Sequence, residues 1–222
     1  WKASATRRTS RSGARHRRVK TARWNGTAHG AAAREIVEEQ GADAFTLREA
    51  ARRAGVSHGA PAHHFGDKTG LLTELAAQVL AERVEQAEAA KLAAGADPLD
   101  QLKACGMAHI DFLISHPRLE GLCWRDNMID RTDPALQEVL QRMSADLIDT
   151  MSAATGKTLV PDKEANASTL LAIAVVHGFA QLVNERIILN AVPMHERRDR
   201  ALAMADEVLD LLGAAFASAD PL

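Results

Sequence analysis

FTLREAARRAGVSHGAPAHHFGDKTGLL, residues 45 to 72, is the stretch on which the fold turns. Thr46 and Glu49 stand at the T-x-x-E spacing of a helix capping box. Leu47, Ala50, Ala51 and Ala54 recur at i, i+3, i+4 and i+7 before Gly55. This predicts a helix of barely two and a half turns that ends at a glycine. Val56 follows as a buried turn residue, and Ser57 is a good N-cap for a further short helix ending at Phe65. Pro61 sits four residues past that cap, where its missing N–H removes at most one first-turn bond. Asp67 then caps a longer helix that carries Leu71, Leu72, Leu75, Val79 and Val84.

The segment after Gly55 is rich in histidine, yet His58, His63 and His64 are spaced by five and by one. Zinc held on a helix wants an i, i+4 pair, so no two of these share a face. No histidine in the chain has Glu three residues before it, which removes the Glu-x-x-His pattern of di-iron bundles. Neither a metal nor a cofactor is expected. A capped helix, a glycine turn and a second short helix with small or polar side chains is instead the build of a helix-turn-helix. There the second helix lies in the major groove and must not crowd base edges. Gly59, Ala60 and Ala62 would let the backbone approach closely, and Ser57, His58 and His63 would supply donors. Spacing alone leaves an ordinary αα-hairpin open beside the DNA reading.

Upstream, Ala32, Ala33, Ile36 and Val37 give one helical face and Gly41 stands where a C-cap glycine belongs, predicting a helix over about residues 26 to 40. Downstream, Gly95 with Asp97-Pro98, His116-Pro117, Asp133-Pro134, Thr155-Gly156, Pro161 and Asn190 to Pro193 read as stops dividing the remainder into five more helices. Leu136, Val139, Leu140, Met143, Leu147 and Met151 form one amphipathic face, and Leu202, Ala205, Leu209, Leu212 and Phe216 another. The chain is 46% hydrophobic and 25% charged, has 4% aromatics and no tyrosine, and shows no strand-like alternation. The expected fold is all-α, with about nine helices.

Charge is unevenly placed. Residues 1 to 23 hold nine Lys or Arg and no acid, residues 24 to 71 hold five basic against six acidic residues, and residues 72 to 222 have net charge −10. The first segment is expected to be a flexible basic arm, read either as a solvated tail or as a strand that grips phosphates. The acidic body would repel DNA and therefore has another task. Cys105 and Cys123 both fall within predicted helices of a cysteine-poor chain, which suits packing in a reducing, cytoplasmic setting. The most apolar helix, near residues 167 to 190, is interrupted by His177, Gln181, Asn184, Glu185 and Arg186, so no membrane partner is expected. A Gly-rich phosphate loop, G-x-S-x-G and metal spacings are all missing, which argues against a helical-bundle enzyme.

Residues 45 to 72, with AREIVEEQG ahead of them, resemble the N-terminal helix-turn-helix of the TetR family of bacterial transcriptional repressors in the A-G-V-S turn, the H-F pair and the following Lys before two leucines. The resemblance covers about 48 residues. It implies a DNA-binding domain over 24–71, with the helix-turn-helix at about 46–65, and an effector-binding and dimerisation domain over 72–222. Carried over by position, it makes Thr46 and Ser57 cap residues near phosphates, places Arg48 at the DNA surface, makes Lys68 and His64 phosphate contacts, and turns His58, Gly59, Ala60, Ala62 and His63 toward the bases. The family usually has an aromatic residue, commonly Tyr, where this chain has Ala62, which weakens the expected grip.

LLAIAVVHGFAQLV, residues 170 to 183, is similar to the V-H-G helix of TetR regulators with a W-H-G type C-terminal domain, although the Trp is missing. Position on inward faces nominates Met107, His109, Phe112, Leu113, Trp124, Met128, Met143, Leu147, His177 and Gln181 for a pocket between these helices. Plain core packing is the competing role for each. Adjustable methionines with few aromatics favour a small apolar or amphipathic effector. His177 either bonds that effector or satisfies a neighbouring backbone group. The last two helices are the expected homodimer surface, and double-stranded operator DNA is the expected partner. The expected function is a repressor released from a palindromic operator by its effector; an effector-independent helical DNA binder is the alternative.

Overall fold

The computed structural model describes residues 28–57, 65–159 and 167–218. The basic arm and residues 58–64, and with them His58, Gly59, Ala60, Ala62, His63 and His64, lie outside the described residues. Eight helices and no strand occur among the described residues: α1 Ala28–Gln40, α2 Leu47–Arg53, α3 Lys68–Ala94, α4 Pro98–Ser115, α5 Pro117–Cys123, α6 Pro134–Thr155, α7 Ala167–Asn184 and α8 Met194–Ser218. The chain forms two compact units that meet in sequence between Leu71 and Leu72.

In the first unit, Ala32, Ala33, Ile36 and Val37 of α1 are buried together with Phe45, Ala50, Ala51 and Leu71. Gly41 ends α1 with φ +85° and donates its N–H to the Val37 carbonyl at 2.9 Å. The exit from α2 is a Schellman motif. Gly55, at φ +68°, donates to the Arg52 carbonyl at 3.2 Å, and Val56 donates to the Ala51 carbonyl at 3.1 Å. Val56 is half-buried rather than buried, because its position is fixed by that backbone bond and not by enclosure.

α3 begins at Lys68 behind Asp67, whose carboxylate accepts the Gly70 N–H at 2.8 Å. A Cβ at residue 70 would overlap the Phe65 carbonyl oxygen, so only glycine lets the chain fold back over this helix start.

The Asp-Pro pairs that read as stops act in the structure as starts. Asp97 accepts from the N–H groups of Leu99 and Asp100 with Pro98 in the first turn, and Asp133 accepts from Ala135 and Leu136 with Pro134 in the first turn. Proline gives up an N–H that a first turn leaves unpaired anyway, while aspartate satisfies two others.

The core of the second unit gathers Ile110 and Leu113 of α4, Met151 of α6, Val176, Phe179 and Val183 of α7, and Ala205, Leu209 and Phe216 of α8. α4 packs against α6, α7 and α8. At Gly106 a Cβ would stand 3.1 Å from the Leu209 side chain, so the missing side chain permits the close approach of α4 and α8. α7 has the length and composition of a membrane-spanning helix, 18 residues at mean hydropathy 1.5. Here one of its faces is built into the core just described. Its other face exposes Leu170, Leu171 and Leu182.

Candidate nucleic-acid interface and effector cavity

At the start of α2, Thr46 adopts an extended backbone and its hydroxyl accepts the Glu49 N–H at 3.2 Å. Glu49 does not return the bond to Thr46. Its carboxylate is held by Arg52, at 2.8 and 2.7 Å, and by Arg53 at 3.0 Å. Arg53 also reaches Glu39 on α1 at 2.7 Å. Hydrogen bonds from Arg52 and then Arg53 lower the Glu49 carboxyl to about 2, and the Arg53 hydrogen bond lowers Glu39. The two arginines thus carry acids of their own unit. Arg48 is exposed and has no ion pair among the described residues. Ser57 is exposed where the described segment ends. Lys68 stands 3.5 Å from the Asp43 carbonyl and 6.0 Å from the centre of the Phe45 ring.

The second unit holds a partly open cavity of about 220 Å³ with a mainly apolar lining. His109, Trp124, Met143, Leu147 and His177, all expected from the sequence, line it. Arg83, Leu99, Leu102, Cys105, Val176 and Leu209, which were not expected, line it as well. The other five expected residues are elsewhere. Phe112 and Leu113 are buried in packing, and Phe112 faces the His116 ring at 5.0 Å. Met107 packs against the core. Met128 lies in the turn after α5, half-buried. Gln181 is exposed and donates to Glu185 at 2.8 Å, because it falls on the outward side of α7. A helical period marks an inward face but does not say which inward residues border a void.

One end of the cavity is polar. The Arg83 side chain, 3% exposed, donates from Nη1 to Glu120 Oε2 at 2.6 Å, and Glu120 Oε1 accepts from Trp124 Nε1 at 2.5 Å. Arg83 Nη2 lies 2.5 Å from His109 Nε2, and the His109 and His177 rings meet edge-on with centres 5.1 Å apart. Burial, then the Arg83 charge and His177, push His109 well below the usual histidine range, while burial lowers His177. Both rings are therefore neutral near pH 7. His177 makes no hydrogen bond among the described residues.

Arg83 does have a sequence signal. It continues the apolar series Leu72, Ala76, Val79 and Leu80 on α3, and a charge on such a stripe has to find a buried partner. The thiols are both free; burial pushes Cys123 up to about 12 and also raises Cys105. No group of three or more His, Cys, Asp or Glu side chains suited to a metal ion occurs among the described residues.

Residues 31–75 match the family model for bacterial regulatory proteins of the tetR family. Over 179 residues, 79% of this chain and 87% of the relative, the chain is 31% identical to the HTH-type transcriptional regulator BetI of Burkholderia cenocepacia. The chain belongs to the TetR family.

As a TetR-family protein it is a transcriptional regulator, with an N-terminal helix-turn-helix and a helical C-terminal part; its relatives are regulators and not enzymes. TetR-family regulators bind DNA, dimerise and take small-molecule effectors. Among solved structures, a Rhodococcus sp. RHA1 protein with unknown function matches at TM-score 0.67 and 25% identity, over 85% of this chain and 91% of that one. The Bacillus subtilis regulator FadR, in complex with stearoyl-CoA, matches at TM-score 0.60 and 16% identity, over 84% of this chain and 97% of that one. This second likeness is one of fold.

Proposed function

We propose that this TetR-family regulator is a repressor that holds a palindromic operator as a homodimer and leaves it when a small apolar or amphipathic effector enters the cavity of the second unit. The observation that carries the reading is that cavity, apolar along its body and polar at the Arg83 end, inside a chain whose family regulates transcription. The FadR fold, found in complex with stearoyl-CoA, supports an effector of that amphipathic kind. Residues 24–71 form the DNA-binding domain, in which Thr46, Arg48, Ser57, His64 and Lys68 lie at the phosphates, Gly59, Ala60 and Ala62 let the backbone approach, and His58 and His63 face the bases. Residues 72–222 form the effector and dimer domain.

A symmetric dimer reads a palindrome when its two recognition helices stand one DNA turn apart, roughly 34–36 Å. α3 is the element through which the effector acts, since it starts at Lys68 and contributes Arg83, Val84 and Ala87 to the cavity lining. A coupling of about 1–3 kcal/mol between effector and operator is enough for regulation.

The dimer surface is formed by α7 and α8, whose exposed apolar side chains include Leu170 at 58% and Leu211 at 73%. Leu211→Glu is expected to give monomers by sedimentation and to lose tight operator binding. Because Arg52 and Arg53 are paired with acids, the nine basic residues of the arm supply much of the phosphate neutralisation. Deleting residues 1–23 should flatten the dependence of operator affinity on salt, and an unchanged slope removes this role.

The direct test selects bound sequences from a random DNA pool and footprints the winner with and without candidate effectors. A two-fold symmetric footprint lost on effector addition is expected. Binding indifferent to every ligand would favour an effector-independent DNA binder.

A further inference from the structure

The hydrogen-bond inventory at the polar end of the cavity is one-sided. Both oxygens of Glu120 are taken, one by Arg83 Nη1 and the other by Trp124 Nε1. Asp146 is engaged by Lys91, and Lys103 by Asp206 and Asp210 at 2.8 and 2.6 Å. Each ionised side chain on the lining therefore already holds its counter-charge. Two groups remain without partners. Arg83 Nε is a buried N–H with no acceptor, closed off from the cavity on a side chain 3% exposed, and the His177 ring, which does line the cavity, makes no hydrogen bond among the described residues. A half-buried imidazole N–H without a partner is costly in a native interior, and an acceptor brought by a ligand removes that cost.

We propose that the cavity binds an uncharged amphipathic molecule. A hydroxyl, ketone or amide oxygen sits at the Arg83–His177 end, and an aliphatic body lies against Leu99, Leu102, Leu147, Val176 and Leu209. The inference rests on the effector reading above and adds the charge and polarity of the head group. A carboxylate head would enter a site where the Arg83 charge is already balanced by Glu120, so it would stay uncompensated unless a histidine took up a proton. Burial and the adjacent guanidinium oppose that uptake at His109, and burial opposes it at His177. Among the described residues, an ammonium head would find no free carboxylate on the lining, and Trp124 is the single Phe, Tyr or Trp ring there, too few for an aromatic cage. A neutral oxygen accepts from the His177 ring and changes no charge.

Isothermal titration of the full chain with 1-octanol, octanoate and octylamine near neutral pH, in two buffers of different ionisation heat, tests this. Octanol is expected to bind about tenfold more tightly than either ion, with heats independent of buffer, which is the worth of one hydrogen bond made without stripping a charge of water. His177→Leu should weaken octanol about fivefold if the ring donates to it. Gly213 lines the cavity, and a Cβ built there meets nothing within 4 Å. Gly213→Phe, with helix content checked by circular dichroism, should therefore fill the space and abolish binding. Tighter octanoate binding with buffer-dependent heats, or tighter octylamine binding, overturns the uncharged head while leaving an effector site in place. No binding by any of the three probes, with the Gly213→Phe protein giving the same traces, overturns the effector reading and this inference together.

Discussion

The molecule uses arginine–carboxylate pairing twice, under opposite conditions. On α2 the Glu49 carboxylate takes Arg52 in the open, where the Arg52 side chain is 67% exposed, with the half-buried Arg53 beside it. In the second unit Arg83 meets Glu120 with 3% and 12% of the two side chains exposed. Water competes with the first pairing at every moment, so it contributes little to stability and yields readily to another anion such as a phosphate. The second sits where water is excluded. Breaking it leaves a bare charge inside, so it holds α3 and α5 in a fixed relation and fixes the polar end of the cavity. Solvent access, not residue type, separates an exchangeable contact from a permanent one.

The comparison breaks most visibly at Glu120. Glu120→Ala strands the Arg83 charge and should cost about 3–5 kcal/mol in denaturant unfolding, whereas the double variant Arg83→Met with Glu120→Leu should recover most of that loss. A single variant as stable as the parent would show that the pair is not sealed from water. Thr46→Ala removes the hydroxyl that caps α2 and should cost about 1 kcal/mol by the same measurement.

The two regions also titrate in different windows. His109 and His177 have folded values below their ordinary 6.5. The unfolded chain therefore binds protons that the folded chain refuses, and stability present above about pH 6.5 is lost as pH falls below it. Glu49, lowered from 4.5 to about 2, contributes stability present above 4.5 and lost as pH falls toward 2. Tm followed downward from neutral pH should show the histidine loss first, and His109→Phe should reduce it. The smallest effect on stability is expected for Glu49→Gln, a slight drop in the unfolding midpoint near neutral pH that disappears as pH falls toward 2. The same variant frees Arg52, while Arg53 keeps Glu39, so operator affinity should rise and fall more steeply with salt. Unchanged affinity would show that Arg52 stands away from DNA.

Much of this was legible without coordinates because the signals are local. Thr46, Gly41, Gly55 and Asp67 act within one helical turn of themselves, and each sits where its cap chemistry puts it. The Asp-Pro pairs mark boundaries in the sequence, but a break in the apolar pattern does not say whether a helix ends or begins there, and in the structure helices begin at them. Inward position along the helices points to His109, Trp124, Met143, Leu147 and His177, which line the cavity, and equally to Met107, Phe112, Leu113, Met128 and Gln181, which do not.

By itself the sequence determined an all-helical chain with a helix-turn-helix signature, because capping, turn geometry and apolar period are properties of neighbours along the chain. Tertiary structure alone decided that Arg83, 37 residues before Glu120 and 26 before His109, meets both of them and lines a cavity beside His109. Burial, and with it charge compensation and the orphaned Arg83 N–H, depends on distances between helices that no local spacing encodes.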